Sequence, residues 1–360
     1  VFAFFAGLFL VCGCAARKIA PHPLVTVPGI SRHFTISQIV DLNHGEVLSF
    51  EKFIEQIAAK DLIFLGEVHD NPEHHLIQVQ ILQALVDCCG PLAVAMECFQ
   101  ASDQTEVDRY LKAEITEEEF LRGVDWAESW GYDYDLYRPL LLLAKGHGIP
   151  VLAINAPQEI VRRVAREGLA NLNPDERSRL PKHIDLQNEA HRAYVRKAYK
   201  QKAHRELPDF EYFYEAQCVW EETMARNIAA YVKDHEGKVV GLAGNGHIVN
   251  KFGIPLRTIR RVPVSMVTII LHELEGATAV DKETADYVWF TSKCDRRPRS
   301  MIKQGQGLLH MAEPPQSRKA LAGKDWKDGG YSGSAVLRVP RSGTLHEIAQ
   351  RFHRGVPDAL

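Results

Sequence analysis

The feature that most constrains this chain is a set of four short apolar runs, LIFL at 62–65, LAVAM at 92–96, VLAI at 151–154 and VVGLA at 239–243. Each is apolar on every residue, as expected of a strand covered on both faces, and long helical patterns separate them. They read as βαβ units. The expected fold is α/β, with a mostly parallel central sheet flanked by helices. A long, charged, helical insertion occupies about 173–208, between the third and fourth strands. The chain has 360 residues, 46% hydrophobic and 25% charged. That is ordinary globular composition and excludes a disordered polymer or a polytopic membrane protein. The net charge of −3 creates no bulk field for nucleic acid, which is not expected as a partner.

In an open parallel sheet the binding crevice lies beyond the carboxyl ends of the strands. The first run is followed by Gly66-Glu67-Val68-His69, the second by Glu97, the third by Asn155 and the fourth by Gly244-Asn245-Gly246-His247. Two of these exits share the pattern Gly-x-x-His, about 180 residues apart. Glycine there permits positive φ and close backbone approach, so the loop can turn sharply and present its histidine. Imidazoles with carboxylates suit a divalent transition metal such as Mn, Co or Zn. In that arrangement His69, Glu97 and His247 are ligands, and Glu67 is a fourth ligand or the base for a bound water. Glu67 and His247 would then be the catalytic residues of a hydrolase. Plain alternatives stand beside these roles. Glu67 is close to a helix start, although Asn71-Pro72 already supplies a good N-cap and N1 pair. His247 reads equally as a core histidine bonded to backbone. His74 and His75 are expected in the solvated first turn of that next helix.

The helical pattern at 211–232 carries an apolar stripe of Phe213, Trp220, Met224 and Ile228, with Gln217 inside it and Glu221 on its flank. A buried amide without a partner costs roughly 1–3 kcal/mol, which places Gln217 at a lined pocket. Cys88 and Cys89 are expected as half-buried packing residues.

The ends differ from the middle. Residues 1–14 form an apolar stretch closing on Cys14 and resemble a bacterial lipoprotein signal, in which that cysteine is lipidated. The expectation is an outer-membrane-anchored protein of the cell envelope, facing the periplasm or the surface. Residues 15–33 read as a Pro-rich tether and 298–334 as a flexible linker. Residues 335–360 resemble the first half of a LysM module, so contact with peptidoglycan is an expectation for that tail.

In the domain expected over 34–297, six stretches occur in order: FLGEVHDNPEHH from Phe64, AMECF from Ala95, WGYDYDLYRPLL from Trp130, AINAP from Ala153, AQCVWEETMA from Ala216 and GNGHIVNKFGIPLR from Gly244. Together they resemble the ChaN-like lipoproteins of the haem-binding uptake/Tiki superfamily. The resemblance implies haem binding in haem and iron acquisition, with haem held by a homodimer and a tyrosine as iron ligand. Tyr132, Tyr134 and Tyr137 are the candidates, because they lie in a matching stretch. It also implies a second possibility, since Tiki-type relatives are metal-dependent peptidases and other relatives are esterases. The cleft set on this reading is Glu67, His69, Glu97, Asn155, Gln217, His247 and Arg257.

Overall fold

The computed structural model describes residues 24–201, 209–275 and 278–294. The expected signal at 1–14, the linker at 298–334 and the LysM-like tail at 335–360 lie outside them. Residues 24–33 of the expected tether do not hang free. Val25–Thr26 (β1) pairs with His33–Phe34 (β2) and with Thr278–Ala279 (β10), and Val25 and Phe34 are fully buried.

The main sheet has eight strands. Ile39–Asp41 (β3) and Glu46–Leu48 (β4) form an antiparallel edge. The others are Leu62–Glu67 (β5), Leu92–Gln100 (β6), Val151–Asn155 (β7), Lys238–Gly244 (β8), Met266–Leu274 (β9) and Tyr287–Ser292 (β11). Their spatial order is β4-β3-β11-β9-β5-β8-β6-β7, and every pairing from β11 to β7 is parallel. The four apolar runs are thus the adjacent strands β5, β8, β6 and β7. Successive residues alternate between the two sheet faces. Leu62 and Phe64 join the core beneath the helix Phe210–Asp234, while Ile63 and Leu65 join the core beneath Pro72–Cys88 and Tyr134–His147. Both faces are therefore covered, as continuous apolar strands require.

Two local features position the site. Strands β5 and β8 are in register with Glu67 opposite Gly244, so the two Gly-x-x-His loops leave the sheet side by side. Strand β6 continues past Met96 to Gln100, and its register with β7 shifts between Met96 and Gln100. Glu97 sits in that irregular stretch, where Asn155 Nδ2 donates to its carbonyl at 2.8 Å. Bulges of this kind re-aim a side chain. Among the described residues no helix is long and apolar enough to cross a membrane.

Candidate functional site

The glycines of the paired loops work by close approach, not by positive φ, since neither is among the positive-φ residues. A Cβ on Gly66 would come within 2.2 Å of Asn245 Oδ1, and one on Gly244 within 2.8 Å of His69 Nε2. Each loop's glycine makes room for a side chain of the other loop. That reciprocity fixes the spacing of the site.

Glu67, His69, Glu97 and His247 come together here. His69 Nδ1 lies 2.8 Å from Glu67 Oε1, and His247 Nε2 lies 3.3 Å from Glu97 Oε1. Glu97 Oε2 accepts from the Gly244 N–H at 2.7 Å, which ties β6 to the second loop. Glu67 also accepts from the Tyr137 hydroxyl at 2.8 Å and from Gln78 Nε2 at 2.6 Å. Burial opposes ionisation of Glu67, but the charge of His75 and the hydrogen bonds from His69 and Gln78 outweigh it and hold the carboxyl well below its ordinary range. Burial likewise opposes charge on His247, yet Glu97 and Glu221 together push it up to about 10. His69 is raised against burial by its bond to Glu67 and by the charge of Glu97.

Behind His247 runs a buried ionic chain. Glu221, fully buried, meets His247 Nδ1, His191 Nε2 and Arg257, the first two at 3.3 Å and the last at 3.2 Å. Arg257 goes on to pair with Glu222, which also receives Arg260 and Arg261. The Gln217 amide touches both Glu221 Oε1 and His247 Nδ1, at 2.8 and 3.0 Å.

In front is a hollow of about 430 Å³, mouth included, lined by His69, Glu97, Trp130, Tyr132, Asn155 and Trp220, with Cys98, Gln100 and Gln158 among the rest. The rings of Trp130 and Tyr132 lie 4.9 and 5.0 Å from that of His69. The Trp220 ring stands edge-on to His247. Burial pushes the Cys98 thiol far up, reinforced by the charges of Glu67 and Glu97, so it stays protonated.

Several sequence expectations change. Glu67, His247, Gln217 and Arg257 of the expected cleft set do not line the hollow: Glu67 backs His69, and Gln217 and Arg257 hold His247 through Glu221. His74 and His75 are buried, not solvated. His74 Nδ1 accepts from the Val68 N–H at 2.9 Å and its Nε2 reaches Thr291 Oγ1 on β11. His75 Nε2 donates to the His69 carbonyl at 3.0 Å. Both histidines staple the first loop to the helix that Asn71 caps. Of the tyrosines, Tyr137 is buried and spent on Glu67, with burial and that carboxylate's charge keeping its phenol protonated. Tyr134 turns away toward Glu117 and Trp126. Tyr132 alone of the three lines the hollow. His191 escaped sequence reasoning because it lies in the charged insertion, distant in the chain from its partners. Glu221 gave one signal, its i+4 spacing from Gln217.

The metal reading of His69, Glu97, His247 and Glu67 gains no support. The four residues form two His–Glu pairs, and both nitrogens of His247 face carboxylates. Among the described residues no group of three or more His, Cys, Asp or Glu is arranged to hold an ion.

A doubly covered, mostly parallel sheet with paired Gly-x-x-His loops closing on an aromatic hollow defines the class of α/β protein to which this chain is assigned. The family model described as "Haem-binding uptake, Tiki superfamily, ChaN" matches residues 53–258, more than half of the chain, and the chain belongs to that family. A solved structure described as cofacial haem binding to ChaN of Campylobacter jejuni is similar at 24% identity, covering 70% of this chain and 95% of that one with a TM-score of 0.57. An erythromycin esterase EreC mutant in its open conformation is 15% identical, covering 66% and 77% of the two chains with a TM-score of 0.40. The curated Arabidopsis thaliana protein RETICULATA-RELATED 5, chloroplastic, is 22% identical over 330 residues, 83% of this chain. The chain spans 44% of that relative's length.

Proposed function

We propose that this chain binds haem against the hollow beside His69 of the first Gly-x-x-His loop and takes part in haem and iron acquisition at the cell envelope, held to the outer membrane by lipid on Cys14. Family membership supports the ligand. The carrying observation is chemical: a phenol, Tyr132, and an imidazole, His69, stand side by side on an open, aromatic-walled hollow. Both are iron-ligating types, and the Glu67 carboxylate on His69 Nδ1 is the partner that orients a ligating histidine. Trp130 and Trp220 offer flat apolar surface for a porphyrin. The free room inside the hollow is only about 20 Å³, far short of an ordinary ligand site, so the macrocycle would lie against its mouth and not inside it. One haem face would stay outward, which is what a homodimer would cover. Iron in the bound group would supply a Lewis acid for the phenolate; the protein's own residues orient and shield it.

Titrating the purified protein with haemin tests this. The expected result is a saturable Soret shift at a fixed stoichiometry, weakened at least tenfold in His69→Ala. Linear, unsaturating absorbance, equal in both proteins, would sink the reading. Envelope anchoring is tested separately by labelled-palmitate incorporation into the full chain, lost in Cys14→Ala. The tail's contact with peptidoglycan is tested by sedimentation with wall sacculi.

A further inference from the structure

At the far end of the helix Pro72–Cys88 from the site, two neighbouring thiols face each other. Cys88 Sγ and Cys89 Sγ are 3.2 Å apart, Cys88 exposed and Cys89 half-buried, and both are free. We propose that Cys88 and Cys89 form a reversible dithiol–disulfide site that exchanges with small organic disulfides.

Three observations carry this. The pair straddles the helix terminus. Cys88 is the last helical residue, while Cys89 is already extended, with φ −114° and ψ 162°. Adjacent cysteines can close an eight-membered ring only where the backbone is free to leave the helix, and here it has left. Next comes Gly90, where an added Cβ would meet nothing within 4 Å, so the chain beyond the pair can shift without collision. Finally, an open cavity of about 700 Å³, mouth included, lies beside the pair, lined by Val86, Gly90 and Lys238 with neither cysteine in its wall. An incoming disulfide can reach the exposed Cys88 from that side, and the Lys238 charge acts on Cys88 in the direction that favours its thiolate.

The chemistry balances with one disulfide, RSSR. Burial and the neighbouring sulfur push the Cys88 thiol up to about 11, and either thiol can donate in the Cys88–Cys89 contact. Cys89 Sγ, as thiolate, attacks one sulfur of RSSR, forming a Cys89–SR mixed disulfide and expelling RS⁻, which takes up a proton. Cys88 then loses its proton and attacks Cys89 Sγ, closing the Cys88–Cys89 bond and expelling the second RS⁻. The two thiols are oxidised and RSSR is reduced to two RSH. Ring closure would forfeit the last-turn bond from the Cys89 N–H to the Leu85 carbonyl, now 2.9 Å.

Incubating the reduced, full-length protein with oxidised glutathione at pH 8 tests this by intact and peptide mass spectrometry. The expected product has lost two hydrogen masses within the peptide holding Cys88 and Cys89, retains no glutathione there, and is restored by dithiothreitol. Cys88→Ser should instead hold one glutathionyl group on Cys89. One phenylarsine oxide should block closure in the wild type and be lost in either serine variant, while Cys294→Ser behaves as wild type. Stable glutathionylation of both cysteines, or a bridge between chains, would overturn the proposal.

Discussion

His247 makes the sharpest prediction, because its two carboxylate contacts stabilise the folded state only while the imidazole is charged. Its folded value is raised from 6.5 to about 10. A raised value means that the contribution is complete below about pH 6.5 and is lost as pH climbs through 10. At 1.36 kcal/mol per decade, the ceiling on that loss is about 5 kcal/mol. The depressed values of Glu97 and Glu221 describe the same contacts from the other side and are not added. Urea unfolding of the wild type at pH 6.5 and pH 9.5 should therefore show a fall of a few kcal/mol. His247→Gln should be less stable at pH 6.5 and lose much less across the interval. Should that variant fail to fold, ¹⁵N spectra of the wild-type imidazoles decide the matter, with one ring remaining doubly protonated at pH 8. Parallel pH slopes in the two proteins, or a His247 ring that titrates near 6.5, would refute the reasoning.

Three other perturbations probe the supporting structure. Gly244→Ala places a Cβ within 2.8 Å of His69 Nε2, so the ring must move; stability should fall by about 1–3 kcal/mol, and haemin affinity, read by titration, about tenfold. Arg257→Met leaves Glu221 and Glu222 buried without their shared cation; thermal or urea unfolding should report a loss of roughly 3–5 kcal/mol. Tyr137→Phe removes one hydrogen bond to the Glu67 carboxylate, a loss of about 1.5–3 kcal/mol by urea unfolding, with the absorption spectrum of the haemin complex unchanged.

Much of the sheet was legible because the runs 62–65, 92–96, 151–154 and 239–243 within β5, β6, β7 and β8 are apolar throughout, as expected of doubly covered strands. Strand β9 mixes Thr268, His272 and Glu273 among its apolar residues and leaves the sheet without a Gly-x-x-His exit, so nothing drew attention to it. The strands β1 to β4 span two or three residues each and carry no period to detect. The site was legible to the extent that sequence position equals strand end. That reasoning finds Glu67, His69, Glu97, Asn155 and His247. It cannot find His191, whose partners Glu221 and Arg257 lie on other helices. It also misplaces His74 and His75, since polar residues in a first turn are usually solvated. Here that turn tucks under the exit of β5 and against Thr291. The tyrosines show the same limit: three occur within six residues, and only tertiary packing separates the one facing the hollow from the two turned away.

The central claim is that haem is seated on the hollow, with Tyr132 as the phenol that meets iron. Electron paramagnetic resonance of the ferric complex, compared among wild type, Tyr132→Phe, Tyr134→Phe and Tyr137→Phe, tests it most directly. The account predicts a high-spin tyrosinate signal that disappears in Tyr132→Phe alone. Persistence of that signal in Tyr132→Phe, or its loss in Tyr134→Phe or Tyr137→Phe, would contradict it.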